Sequence, residues 1–133
     1  MNFLNLALIL LPFLLLNNCS EESPDCVCTE EFKMYLVTVI DSLGNPVDSL
    51  ATTITNERGK QYDFGNYPPP PYLTGSYVVM TDGYQDDFSA QPGKIFFSGL
   101  KSNLEVTGEY LFNTDACRCH VYKDGGPDTL VLK

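Results

Sequence analysis

The strongest constraint on the fold of this chain is the spacing of its turn chemistry. From Phe32 onward, short runs of β-branched and aromatic residues are broken every few positions by Gly, Pro, Asn or Asp, and no segment sustains a helical period. Phe32 to Ile40 sets Phe32, Met34, Leu36 and Thr38 on one face and Tyr35, Val37 and Val39 on the other, the pattern of a strand covered on both sides. Asp41 to Pro46 turns the chain, and Val47 to Thr55 resumes as a strand rich in threonine. Asn56 to Gly59 turns it again toward Gln61 to Phe64. Further strands are expected at Tyr77–Thr81, Lys94–Ser98, Val106–Asn113, Cys117–Tyr122 and Thr129–Leu132, with Asp124 to Pro127 closing the last hairpin. Seven or eight short strands over about 100 residues predict an all-β, antiparallel two-sheet sandwich with minimal helix.

The N-terminal segment reads as an address. Residues 1–18 carry no charged side chain, and Phe3 to Leu16 is apolar except for Asn5 and Pro12. That length suits the apolar region of a signal peptide and falls short of the roughly 20 residues a membrane-spanning helix needs. No Lys or Arg precedes it. The run ends in Leu16-Asn17-Asn18-Cys19, which resembles the lipobox of bacterial lipoproteins, in which the Cys is diacylated and becomes the new N-terminus. Asn18 departs from the small residue usual before that Cys. The resemblance implies lipidation at Cys19, by palmitate and related acyl chains, and attachment to the bacterial outer membrane. The following Ser20-Glu21-Glu22 resembles the acidic signal that sends some such lipoproteins to the cell surface, and reads equally as a solvated linker. The chain thus divides into a signal peptide at 1–18, an acidic tether at 19–31 and a sandwich at 32–133.

Within the sandwich, Val39-Ile40-Asp41, Gly44-Asn45-Pro46-Val47, Gly59, Gly75-Ser76-Tyr77-Val78-Val79 and Gly83-Tyr84 follow one another. The succession resembles the carboxypeptidase regulatory-like domains, a branch of the transthyretin (prealbumin)-like β-sandwiches. Asp115-Ala116-Cys117-Arg118-Cys119-His120-Val121 and the closing Leu130-Val131-Leu132 resemble a variant found in secreted members. The resemblance implies a prealbumin-like fold and little about activity. Hydrolases of that fold use several His and Arg residues and a C-terminal Tyr-Arg-Gly-Ser, whereas this chain ends Leu130-Val131-Leu132-Lys133, so that activity is not carried over. Residues 65–72, with four consecutive prolines, depart from the pattern as an insertion.

Five cysteines leave four once Cys19 is set aside, in two Cys-x-Cys pairs: Cys26 with Cys28 and Cys117 with Cys119. An even remainder in an exported chain points to disulfides. Positions i and i+2 of a strand stand about 6.6–7 Å apart, at the limit of a disulfide's reach, so cross-links between the pairs are expected, with connectivity open. They would close loops of about 90 residues, worth about 4 kcal/mol for the first and little for the second. Free thiols, and a metal site made of the four Cys or of fewer Cys with His120, are the rivals. No metal or cofactor is expected.

An excess of 17 acidic over 8 basic side chains, net −9, argues against nucleic-acid binding, which needs clustered Lys and Arg. The single His120 shows no Ser or Cys partner with an orienting carboxylate, so it reads as a sheet residue and the chain as non-catalytic. Asp82, Asp86 and Asp87 lack the spacing of a calcium loop and read as an acidic turn. Five tyrosines fall between positions 62 and 84, and Tyr67, Pro68, Pro69, Pro70, Pro71 and Tyr72 form a candidate contact surface for a partner. The alternative is that the prolines merely cap a sheet edge. The leading expectation is a lipid-anchored envelope protein that binds, adheres or scaffolds through its sandwich, its partners being the membrane and another envelope protein or extracellular ligand. A soluble exported enzyme or inhibitor working through the Tyr/Pro loop or the Cys pairs, and a pilus or assembly subunit, are the alternatives.

Overall fold

The computed structural model describes residues 25–65 and 68–133. It is an all-β sandwich of eight strands: β1 (Met34–Ile40), β2 (Ala51–Asn56), β3 (Gln61–Tyr62), β4 (Ser76–Thr81), β5 (Gly93–Lys101), β6 (Leu104–Thr114), β7 (Val121–Gly125) and β8 (Thr129–Val131). One sheet has the order β4-β1-β8 and the other β3-β2-β5-β6-β7. A short 3-10 segment, Asp82–Asp87, follows β4, with the Thr81 hydroxyl accepting from the Gly83 N–H at its start. Among the described residues no helix is long and apolar enough to cross a membrane.

The core lies between the sheets. Val37 and Val39 of β1 and Val79 and Met80 of β4 meet Ile54, Ile95, Phe97, Tyr110, Phe112 and Val121 of the larger sheet, all nearly or fully buried. In β1 the face carrying Tyr35, Val37 and Val39 is the core face, while Met34, Leu36 and Thr38 are only half-buried. The small sheet is thus covered less completely on its outside than a strand buried on both sides requires.

Several expected boundaries move, each for a local reason. The strand expected from Val47 begins only at Ala51, because Ser49 sits at φ 56° and breaks the extended run. The strand expected at Cys117–Tyr122 begins at Val121; Asp115 to His120 is a turn in which the Asp115 carbonyl accepts from Arg118 N–H and its carboxylate from Cys119 N–H. β5 and β6 run on into each other across a two-residue turn, Ser102–Asn103, with Ser102 at φ 56°. The largest difference is at the end. Asp124 to Pro127 does not close a hairpin: Gly126, at φ +117°, takes the chain across to the other sheet, where β8 runs parallel to β1. A Cβ at Gly126 would lie 2.4 Å from the Tyr110 ring, so only glycine lets the chain pass that close. Leu132 N–H then donates to Ile40 and Lys133 exchanges both backbone bonds with Glu105, so the tail joins the two sheets.

Tyr110, 1% exposed, is the largest fully buried side chain, and its hydroxyl has no hydrogen-bond partner among the described residues. Burial first, and the Asp128 carboxylate second, push this phenol well above its ordinary range. A phenol held neutral in the fold contributes stability that is intact below about pH 10, where the unfolded side chain ionises, and is lost as pH rises beyond it. Tyr110→Phe is therefore expected to raise stability by about 1 kcal/mol at neutral pH and to shift alkaline unfolding to higher pH. Denaturant titrations at pH 7 and pH 10 check both; a destabilised variant at pH 7 would show that the hydroxyl is bonded after all.

Candidate functional site

Two constellations stand out, one at each end of β4. At its far end residues 26–29 are fastened to the sandwich. Cys26 is bonded to Cys117 and Cys28 to Cys119, with Cα atoms 5.4 and 5.3 Å apart, which consumes all four thiols as ligands or nucleophiles. Both bridges span 91 positions, and so does the 2.8 Å contact between Thr29 Oγ1 and His120 Nε2. Residues 26–29 therefore lie alongside 117–120 in a single register. The expectation of cross-links between pairs holds, and the connectivity is first with first and second with second.

Behind Thr29 the contact continues inward. His120 Nδ1 lies 2.7 Å from Asp82 Oδ2, and both side chains are nearly buried. The same carboxylate accepts from Lys33 N–H and from Val121 N–H, each at 2.7 Å. A carboxylate offers only acceptors, so in this contact His120 Nδ1 donates to Asp82, while Nε2 meets the Thr29 hydroxyl on the other side of the ring. His120 thus has both the hydroxyl and the carboxylate that its sequence surroundings do not reveal. Their order, Thr–His–Asp, is that of a nucleophile relay. Thr29 and His120 lie outside the lining of the cleft described below, and their contact ties residue 29 to the segments that carry His120 and Asp82. Asp82, Asp86 and Asp87 do not converge: Asp82 points inward, Asp87 pairs with Lys60, and among the described residues no group of three or more His, Cys, Asp or Glu is placed to hold a metal.

At the near end of β4 lies a cleft of about 590 Å³. Its walls are the two sheet edges on the open side of the sandwich: Tyr77 and Val78 of β4 on one side, and Thr52, Ile54, Gln61 and Tyr62 of β2 and β3 on the other. Asp63, Phe64 and Gly65 form its rim with Pro68 and Pro69. Two tyrosine hydroxyls fix its shape. Tyr77 donates to Val47 O and accepts from Leu50 N–H, while Tyr84 donates to Asp63 O and accepts from Asp63 N–H. The rings of Tyr62, Phe64 and Tyr84 pack together at centroid distances of 5.0 to 6.5 Å, and burial followed by the nearby Asp87 raises the Tyr62 phenol above its ordinary range.

Of the proposed contact surface, Pro68 and Pro69 line the cleft. Pro70 and Pro71 lie outside its lining, Tyr72 is 80% exposed to solvent away from it, and the Pro70 carbonyl closes a turn with Leu73 N–H. Tyr67 and Cys19 fall outside the described residues. The sequence reading did not find Thr52, Gln61, Asp63 or Val78 as lining residues; the edge positions of β2 and β4, which bring them together, become visible only with the strand order.

Each half of the clasp has its own energetic signature. Removing one bridge with Cys26→Ser and Cys117→Ser should cost little, because the second keeps the same loop closed; removing both should cost about 4 kcal/mol. Asp82→Ala should cost about 3–5 kcal/mol by stranding a buried imidazole and two backbone N–H groups, and Thr29→Ala, at an exposed position, under about 1 kcal/mol. Denaturant unfolding of the four variants measures this, and equal losses at Asp82 and Thr29 would refute the assignment of Asp82 as the central acceptor. In comparisons with known proteins, no family model, curated protein or solved structure matches the chain.

Proposed function

We propose that the chain is a lipid-anchored protein of the bacterial outer membrane, held by Cys19, whose sandwich is a non-catalytic binding module with its ligand site in the cleft between β4 and β2–β3. The observation that carries the anchor is the uncharged, apolar run that ends at Leu16-Asn17-Asn18-Cys19, followed at once by an acidic tether. A thioether diacylglycerol with an N-acyl chain supplies the two or more hydrophobic signals that stable attachment takes. The two disulfides support export, since such bonds persist in oxidising compartments. The cleft supports binding: it joins aromatic and proline surface to a few polar groups, Thr52, Gln61 and Asp63, the usual make-up of a recognition site. Membership of the carboxypeptidase regulatory-like sandwiches is part of the same proposal and rests on the short motifs between Val39 and Tyr84. Surface display through Ser20-Glu21-Glu22 is its furthest extension.

Intact-mass and N-terminal mass spectrometry of the protein purified from membranes tests the anchor. The expected species begins at Cys19 and carries a diacylglyceryl group and an amide-linked acyl chain, and Cys19→Ser should leave the membrane fraction. A mature chain with an unmodified N-terminus upstream of Cys19 would sink the proposal.

A further inference from the structure

Among the described residues no strand pairs with the edge of β4 that faces the cleft. In the β1–β4 ladder Val39 N–H donates to Gly75 O at 2.8 Å, and hydrogen-bonded pairs recur at every second residue of an antiparallel pair. Val37 opposite Tyr77 is then a bonded pair, and Leu36 opposite Val78 is a non-bonded one. The N–H and C=O of Val78 accordingly point away from β1. Ser76 agrees with this phase, because its N–H turns outward to Leu73 O. Among the described residues no backbone hydrogen bond from another segment reaches Val78 on that side, although Val78 is only 5% exposed. The loop that overhangs it cannot supply a donor from Pro68 through Pro71, which have no N–H. A buried, outward-facing peptide group beside a 590 Å³ cleft is a strand template.

We propose that the cleft takes an extended segment of a partner protein bearing Lys or Arg, which adds to β4 as a further strand through the N–H and C=O of Val78. The inference rests on the reading of the cleft as a binding site and specifies its ligand. The sign of the partner's charge follows from Asp63, the one charged side chain among the described lining residues, and from the net charge of −9. Asp63 Oδ1 is occupied by Gly65 N–H, which leaves Oδ2 for a cation. The rings of Phe64 and Tyr77 and the faces of Pro68 and Pro69 then receive the alternate side chains of the added strand.

The test is fluorescence anisotropy with the mature full-length protein in detergent micelles. The probes are labelled peptides of about six residues, the usual strand length: alternating Val and Lys, alternating Val and Glu, and the Val/Lys peptide with alternate amides N-methylated. The Val/Lys peptide should bind, the Val/Glu and N-methylated peptides should bind at least about tenfold more weakly, and Asp63→Asn should reduce the Lys preference. Val78→Pro removes the outward N–H without removing a β1 bond and should weaken the Val/Lys peptide about tenfold while leaving thermal unfolding in place. Equal binding of methylated and unmethylated peptides overturns edge pairing without relying on any variant to fold. Failure of the Val/Lys peptide to bind overturns the proposal, as does self-association abolished by Val78→Pro, which would make a second copy the occupant. A chito-oligosaccharide that binds the cleft where no peptide does would overturn the peptide while leaving the binding module intact. The acyl group on Cys19 is read separately by mass, so anchoring stands or falls independently.

Discussion

The Asp82 carboxylate is the contact on which the ordering of the sandwich depends. One buried group accepts from Lys33 N–H at the entry to β1, from Val121 N–H at the entry to β7 and from the His120 imidazole between them. β1 and β7 belong to different sheets, so these bonds fix how the two layers meet at this end. The carboxylate follows directly on β4, where the 3-10 segment turns it inward. Burying a carboxylate is costly unless its oxygens accept hydrogen bonds, and three short donors reach them. The disulfides then close over the same place from outside, in the register that sets Thr29 against His120.

At the other end of β4 the sandwich is deliberately left incomplete. β3 has two residues and pairs with Ile54 and Thr55, so among the described residues no strand pairs with Ala51 to Thr53 on that side, and none pairs with β4 beyond β1. Exposed edges invite association, and chains ordinarily blunt them with short strands, prolines or a covering loop. All three devices occur here. The proline segment stands over the edge without pairing with it, which keeps β4 from free solvent while the cleft beneath stays open. Pro68 and Pro69 therefore stand beside the edge and at the same time line the cleft.

Much of this was legible in the chain. The alternation of Val37 and Val39 with Leu36 and Thr38, the run Tyr77 to Thr81 and the two Cys-x-Cys pairs carry the sandwich and its clasp, because period and spacing are local properties. Asp82 and His120 were not legible as partners: they are 38 positions apart, and nothing near Asp82 distinguishes it from a solvated turn residue. The equal spacing of the Cys pairs does hold a signal, since pairing first with first places Thr29 opposite His120. The parallel β8 was hidden for a different reason. A Gly-Gly-Pro turn reads as a hairpin, and only the contact between Gly126 and the Tyr110 ring shows that the chain passes on to the other layer.

The two ends of β4 also decide how the domain takes a load. β1 and β4 are antiparallel, and Met34, where β1 begins, lies opposite Thr81. Tension arriving along the tether at Met34 would peel β1 from β4 one bond at a time, beginning beside Asp82, and would reach the residues of the cleft at Val78 after about 10 Å of strand. The clasp intercepts that path. Force on residues N-terminal to Cys26 passes through two covalent bridges into the 117–119 turn, and Lys33 is held to Asp82 by its N–H on the carboxylate and its carbonyl on the Asp82 N–H, which shields the first rung of the β1–β4 ladder. A second bridge adds almost nothing to the chain-entropy term already secured by the first. Its physical consequence lies in geometry: two parallel bonds two residues apart prevent rotation about either one, which keeps residues 26–29 aligned with the 117–120 turn when load arrives from the N-terminal side.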